Sequence, residues 1–447
     1  MNSDINKAIA PAPTLSIALK EKLVDFVYDA EGDIATALES YAAKRSKTNS
    51  YGSKQQAIST DLFIVSEKIN EKSVLELYQQ QANPTSEETA LLNRWHKSFI
   101  GLFEIEAIDG DRYRLMNWLT AKTYTVYAHQ DIPEKERSRW QPGEIILTII
   151  APFDDANWFF FSDRVIKGQL SQPKLAVAVG EFRDNFPEHL YADAPELLNQ
   201  AWESVKIYHD EFVNYFGSDR IVESGYQLNK QIQELQQQMS KQRLAEAGID
   251  DEKSLSQMLA ESGASEEEFA ENAANLGADA EAVAKIIKNK DKLSMVTPKV
   301  DLPPDIKQAE TVTVFSHPKW GQMFLPTYSK FGELLTQQDE ESEKTALKYL
   351  QKYLTMPEAN YYVWQQLSTE YPEAISKLLQ QHTNRPDFDL NRDLEPLLEE
   401  QGKPATPQLP SIASVPIHLN NLFETALAQV QKSKSKKKKK AKKGFLS

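Results

Sequence analysis

Cysteine is absent from all 447 residues of the chain. That absence excludes disulfides, thiolate zinc sites, iron–sulfur clusters and cysteine nucleophiles, and it fits a reducing compartment. Long apolar runs are missing too. The most apolar stretch, Ile145 to Phe153, is about half of what a membrane-spanning helix needs, and reads as a buried strand. Met1 to Pro13 has no basic stretch followed by an apolar one, Asn2 excludes N-myristoylation, and Phe445-Leu446-Ser447 offers no prenylation site. A cytoplasmic protein without a membrane span is the expectation. Catalytic signatures are equally scarce. GxxxxGK[ST], GxGxxG, GxSxG and HExxH do not occur, so nucleotide, hydrolase and metalloprotease sites have no local support.

What the chain does have is charge, unevenly placed. It carries 65 acidic and 51 basic residues, a net charge of −14. Nine of the lysines fall between Lys432 and Lys443 with no acid among them, so the rest carries −14 − 9 = −23. An acidic body with a basic arm is the result. With 40% hydrophobic residues there is ample material for a core.

Helical periodicity opens the sequence. Leu19, Leu23, Phe26 and Ala30 recur at helical spacing, Gly32 stops the run, and Asp33 caps a second helix carrying Ile34, Leu38 and Tyr41. A polar stretch, Lys44 to Lys54, follows. Thr85 with Glu88 three residues on makes a capping box for a helix whose face is Leu91, Leu92, Trp95 and Phe99. The period then changes to two. Phe103, Ile105 and Ala107 alternate with Glu104 and Glu106; Asp109-Gly110 turns the chain; Tyr113 and Leu115, then Tyr124, Val126 and Ala128, continue the pattern. With Ile145–Phe153 and Trp158–Phe161, these make five short strands, enough for a small SH3- or OB-type barrel.

Helices resume at Pro195, suited to a first helical position. Leu198, Trp202, Val205, His209, Phe212 and Phe216 form a stripe ended by Gly217, and Leu228, Ile232, Leu235 and Met239 form a short a/d seam. Residues 248–290 are acidic and alanine-rich. Pro298, Pro303 and Pro304 mark one connection, and Pro404, Pro407, Pro410 and Pro416 another. Leu419–Val430 reads as an amphipathic helix leading into the lysines.

Each chemical motif has a plainer reading beside it. The seven histidines stand far apart; His209-Asp210-Glu211 begins a zinc-deaminase pattern, but the cysteine half is missing, and His209 reads as a packed helix residue. Asp109-Gly110-Asp111 lacks the remaining ligands of a calcium loop and reads as a hairpin turn. No metal site and no cofactor are therefore expected. The lysine tract (Lys432, Lys434, Lys436, Lys437, Lys438, Lys439, Lys440, Lys442 and Lys443) cannot form a core, because each ammonium demands water or an anion. It reads as a flexible arm for RNA, DNA, a ribosome or anionic lipid, the plainer alternative being a solubilising tail. In the barrel, Arg112, Arg114, Trp118 and Lys122 are candidate surface contacts for a single strand stacked on aromatics. Alternating aromatics in a small barrel otherwise serve as core.

The phrases Gly101-Leu102-Phe103-Glu104-Ile105, Leu119-Thr120-Ala121-Lys122-Thr123-Tyr124 and Gln141-Pro142-Gly143-Glu144-Ile145-Ile146 give residues of about 100–165 a family likeness. The segment resembles the small β domain of uncharacterised bacterial proteins that often end in a SEC-C zinc motif. The resemblance implies a small β fold. It carries over no metal site, since the motif's cysteines and histidine are absent and a lysine tail stands in their place.

The fold expected is α+β, predominantly helical, with one five-stranded SH3/OB-like barrel. The segments read as 1–97, an N-terminal helical segment; 98–168, the barrel; 169–247, long helices; 248–297, an acidic short-helix insert; 298–402, a C-terminal helical domain; and 403–447, a proline-rich linker, short helix and lysine-rich tail. The functional expectation is a non-catalytic binding or assembly protein with a protein partner and a polyanion-binding tail. The alternative is an acidic helical scaffold or chaperone-like factor whose tail is only a solubiliser.

Overall fold

The computed structural model describes residues 11–48, 53–128, 132, 134–246, 295–337 and 339–444. The acidic insert therefore lies outside the described residues except at its end. The chain divides into two compact units, Met1–Leu198 with His418–Ser447, and Asn199–Ile417.

In the first unit, helices α1 (Pro11–Tyr28), α2 (Asp33–Thr48) and α3 (Ser53–Ser66) lead to a two-stranded hairpin, β1 (Lys68–Ile69) and β2 (Lys72–Ser73). Helices α4 (Val74–Ala82) and α5 (Ser86–Trp95) follow, each opened by a complete capping box, Ser73 with Glu76 and Thr85 with Glu88. Each box satisfies helix-start donors that would otherwise be orphaned.

The barrel comes next: β3 (Phe99–Asp109), β4 (Arg112–Asn117), β5 (Thr123–Tyr127), a short α6 (Glu134–Arg137), β6 (Glu144–Pro152) and β7 (Asn157–Phe160). The strand order β3-β4-β5-β7-β6 closes through β3–β6, and only the β5–β7 pair is parallel. A sixth strand, β8 (Val165–Gln169), adds to the first half of β6. The five expected strands are present at their expected places. The inward face carries Phe103, Ile105, Tyr113, Leu115, Val126, Ile146 and Phe160. Strand β6 is buried on both faces because α3 and α5 pack over it from outside, which explains its unbroken apolar run. Phe99, read as the last turn of α5, instead starts β3, because that helix stops at Trp95.

After β8 come α7 (Gln172–Asn185) and a 3₁₀ turn at Pro187–His189. Helix α8 (Pro195–Phe216) starts at the expected proline, and Gly217 ends it with φ +75°. Its fully buried line is Leu197, Ala201, Val205, Tyr208 and Phe212, one residue round from the expected stripe.

The second unit is not purely helical. Strands β9 (Arg220–Glu223), β11 (Val312–His317) and β12 (Gly321–Leu325) form an antiparallel sheet in the order β12-β11-β9. Helix α9 (Gly225–Glu246) buries its seam, Leu228, Ile232, Leu235 and Met239, as its spacing demands. It packs on the short α10 (Pro304–Gln308). Strand β10 (Met295–Val296) pairs with β13 (Val415–Pro416). Helices α11 (Tyr328–Thr336), α12 (Glu340–Thr355), α13 (Tyr361–Glu370), α14 (Pro372–Thr383) and α15 (Leu390–Glu400) surround a core with Trp364, Tyr353 and Phe331 at its centre.

The chain closes with α16 (Ile417–Gly444), in which Leu419, Leu422 and Ala426 are buried. The helix expected over Leu419–Val430 does not give way to a flexible arm; it runs through the whole lysine tract. Lysine is a good helix former, and no proline or glycine intervenes before Gly444.

Candidate functional site

The barrel's candidate contacts are all held by carboxylates or neighbouring groups. Arg112 reaches Asp109 at 2.6 Å, and Arg114 reaches Glu106 at 2.8 Å. The Trp118 indole N–H donates to Glu104 at 2.9 Å. Lys122 pairs with Glu196 at 2.9 Å and donates to the Asp193 carbonyl at 2.7 Å. Arg137 also reaches Asp111. The aromatics are mostly core: Tyr113, Trp140, Phe159, Phe160 and Phe161 are buried. Each of these four candidate contacts therefore already has a partner within the protein.

Around Asp193 the barrel is clasped rather than opened. Its Oδ2 accepts from Asn117 at 3.1 Å, Thr120 at 2.8 Å and Tyr124 at 2.6 Å. Burial and the adjacent carboxylate push the Tyr124 phenol far above its ordinary range. The start of α8 is thereby tied to the β4–β5 turn. His418 at the start of α16 touches the same region, with its Nε2 2.7 Å from the Trp118 carbonyl oxygen. Burial lowers its pKa, which suits a neutral ring donating there.

His209 does not stand alone. Its Nδ1 lies 3.1 Å from the Ser316 hydroxyl, which is buried in β11. A serine–histidine pair by itself does not make an acyl-transfer centre, and no third group orienting the ring is placed on His209 Nε2 by any described contact. Among the described residues no group of three or more histidines, aspartates or glutamates is arranged to hold a metal ion. No described helix is long and apolar enough to cross a membrane.

A concavity lies within the second unit. Segment 298–306, strand β12, the end of α12 and the chain beyond α15 enclose a cleft of about 880 Å³, within the range of small-molecule sites. Its most unusual residue is Lys403. Helix α15 ends in a fold-back: Gly402 adopts φ +72°, its N–H bonds Glu399, and the Lys403 N–H bonds the Leu398 carbonyl at 2.8 Å. Glycine meets the left-handed conformation this termination needs. The next residue is thereby turned inward. Lys403 is only 5% exposed, and its ammonium donates to the Met356 carbonyl, at the C-terminal end of α12, at 2.5 Å. Burial pulls its pKa down to about 8, against the raising influence of Glu358.

Gln322 is the second unusual residue. It alternates on β12 with the core residues Met323 and Leu325 and lines the cleft. Both its amide nitrogen and its amide oxygen are buried without a hydrogen-bond partner.

Sequence reasoning placed Lys403 at the first residue of a linker and passed over Gln322 altogether. The usable signal for the lysine was Gly402-Lys403-Pro404 directly after an amphipathic helix. Compared with family models, curated proteins and solved structures, the chain matches none.

Proposed function

We propose that this is a non-catalytic binding or assembly protein that meets nucleic acid through the lysine helix at the end of α16. The observation supporting this is the contrast between the two basic features. In the barrel, Arg112, Arg114 and Lys122 are engaged with carboxylates, whereas nine lysines fall within the tract with no acid between them. As a helix, Lys432 to Lys443 spans about 17 Å, roughly one charge per 2 Å, close to the charge density of duplex DNA. Leu419, Leu422 and Ala426 are buried and anchor the base of this helix. A body carrying −23 repels phosphate, so contact belongs to the tract.

Fluorescence anisotropy with a labelled single-stranded RNA tests this. The slope of log K on log salt should be about −0.7 per phosphate neutralised. Five engaged lysines would then give a fall of about 3,000-fold per tenfold rise in salt. Sequence preference should be slight, because lysine reads phosphate as a point charge. Replacing the nine lysines with glutamine should abolish binding. Binding that survives the replacement would move the contact elsewhere and overturn the proposal. Vesicles of anionic lipid, run in parallel, report whether the tract prefers a membrane surface instead.

A further inference from the structure

We propose that the cleft of the second unit is a binding site for a small monocarboxylate with an apolar body, with Lys403 as its counter-ion and Gln322 as its polar guide. A buried ammonium with one carbonyl partner keeps two N–H donors in hand. The carbonyl relieves only part of its desolvation, and an anion within reach would complete it. Gln322 supplies a donor and an acceptor side by side, both buried and unpartnered. Among the described residues it is the one side chain with both kinds of atom in that state. An unsatisfied buried donor is costly, so the Gln322 amide N–H favours a ligand that brings an acceptor there. Trp320, Phe324 and Ile412 give the cleft its apolar wall.

The charge of the lining selects among anions. Lys299, Lys352 and Lys403 share it with Asp301, Asp305 and Glu358, three cations against three acids. No arginine contributes the planar fork that suits phosphate. The lining is thus balanced in charge and has no surplus of cations for a phosphate dianion, whereas a single carboxylate needs only one buried ammonium.

Titration calorimetry of the full chain with octanoate, octanol and inorganic phosphate tests the assignment. Octanoate should bind saturably and at least about tenfold more tightly than octanol, as a charge-assisted bond implies. Because the Lys403 ammonium titrates at about 8, its protonated fraction falls about thirtyfold from about pH 7 to about pH 9.5, enough to erase a tenfold preference. This arm needs no variant, so a misfolded mutant cannot obscure it. Lys403→Met should remove the preference while leaving octanol binding in place, and Gln322→Leu should weaken octanoate with the pH dependence retained. Equal affinity for octanoate and octanol at pH 7, tighter binding of phosphate than of octanoate, a preference indifferent to pH, or no binding of either eight-carbon ligand would each overturn the proposal. RNA binding by the lysine tract stands or falls separately.

Discussion

Replacing Asp61 with asparagine should change how the protein's stability depends on pH. Asp61 is 4% exposed on α3, and Lys20 reaches it at 3.0 Å. Burial raises its carboxyl to about 6; Lys20 opposes the rise and Asp163 adds to it. In the unfolded chain the group titrates near 3.9. The folded state therefore holds this proton more tightly, so stability falls as pH rises from about 4 to about 6. Two pKa units correspond to about 3 kcal/mol. His189 runs the other way. Burial, with Arg45 beside it, lowers its pKa to about 4 despite Glu188, while its unfolded value is near 6.5. Stability from this group is lost as pH falls through the same window, again by about 3 kcal/mol. The two slopes oppose each other in the native protein. Asp61→Asn removes one of them. Urea unfolding followed by circular dichroism at intervals from pH 4 to pH 7 gives the difference curve, in which the other carboxylates drop out. Variant stability minus native stability should climb by about 3 kcal/mol across that window. A difference curve flat in pH would refute the account of Asp61.

Other expectations can be checked by thermal unfolding. A methyl at Gly225 would overlap the Ile306 carbonyl oxygen, so Gly225→Ala should destabilise by about 1–3 kcal/mol. Gly180, inside α7 with open space around its Cα, should do the reverse: Gly180→Ala should stabilise by about 0.5–1 kcal/mol. Thr85→Ala removes the side-chain acceptor for the Glu88 N–H and should cost about 1 kcal/mol.

The parts of the fold legible in the sequence are those where one local rule acts without competition. Alternation in β3 to β5 could be read because one face meets a core and the other meets water. The Thr85 capping box and the α9 seam were legible for the same reason. Strands β11 and β12 were not. In β11 the residues from Val312 to Ser316 are buried on both faces, so no alternation marks them, and both strands are short. Strand β8 is mostly half-buried and holds Gly168 with φ +73°, which erases a strand signal. The α8 stripe slipped by one position because Ala201, fully buried, is too small to count as an apolar marker. The cleft was hidden for a further reason. Lys403 looks like any linker lysine until tertiary structure buries it, and Gln322 looks like a surface strand residue. Nothing local to either residue records the burial that sets it apart.

Salt should separate the two anion contacts, because they owe their strength to different physics. At the proposed nucleic-acid contact the lysine tract would act by number. Each engaged lysine would release counterions condensed on the nucleic acid and so add to the salt slope. Lys403 acts by burial. One ammonium, 5% exposed, meets one carboxylate in a cleft where screening by ions is much weaker than at a surface. The barrel pairs show what happens between these limits. Arg112–Asp109 and Arg114–Glu106 are largely exposed, contribute about 0–1 kcal/mol each, and serve mainly to cancel the charge that a phosphate would seek. Raising salt tenfold should then weaken RNA binding by about three orders of magnitude for five contacts, while octanoate binding changes by no more than a few-fold. The measurement needs one protein preparation and two ligands. If octanoate affinity collapses in step with RNA affinity, carboxylates are being held by the tract, and the cleft is not their site.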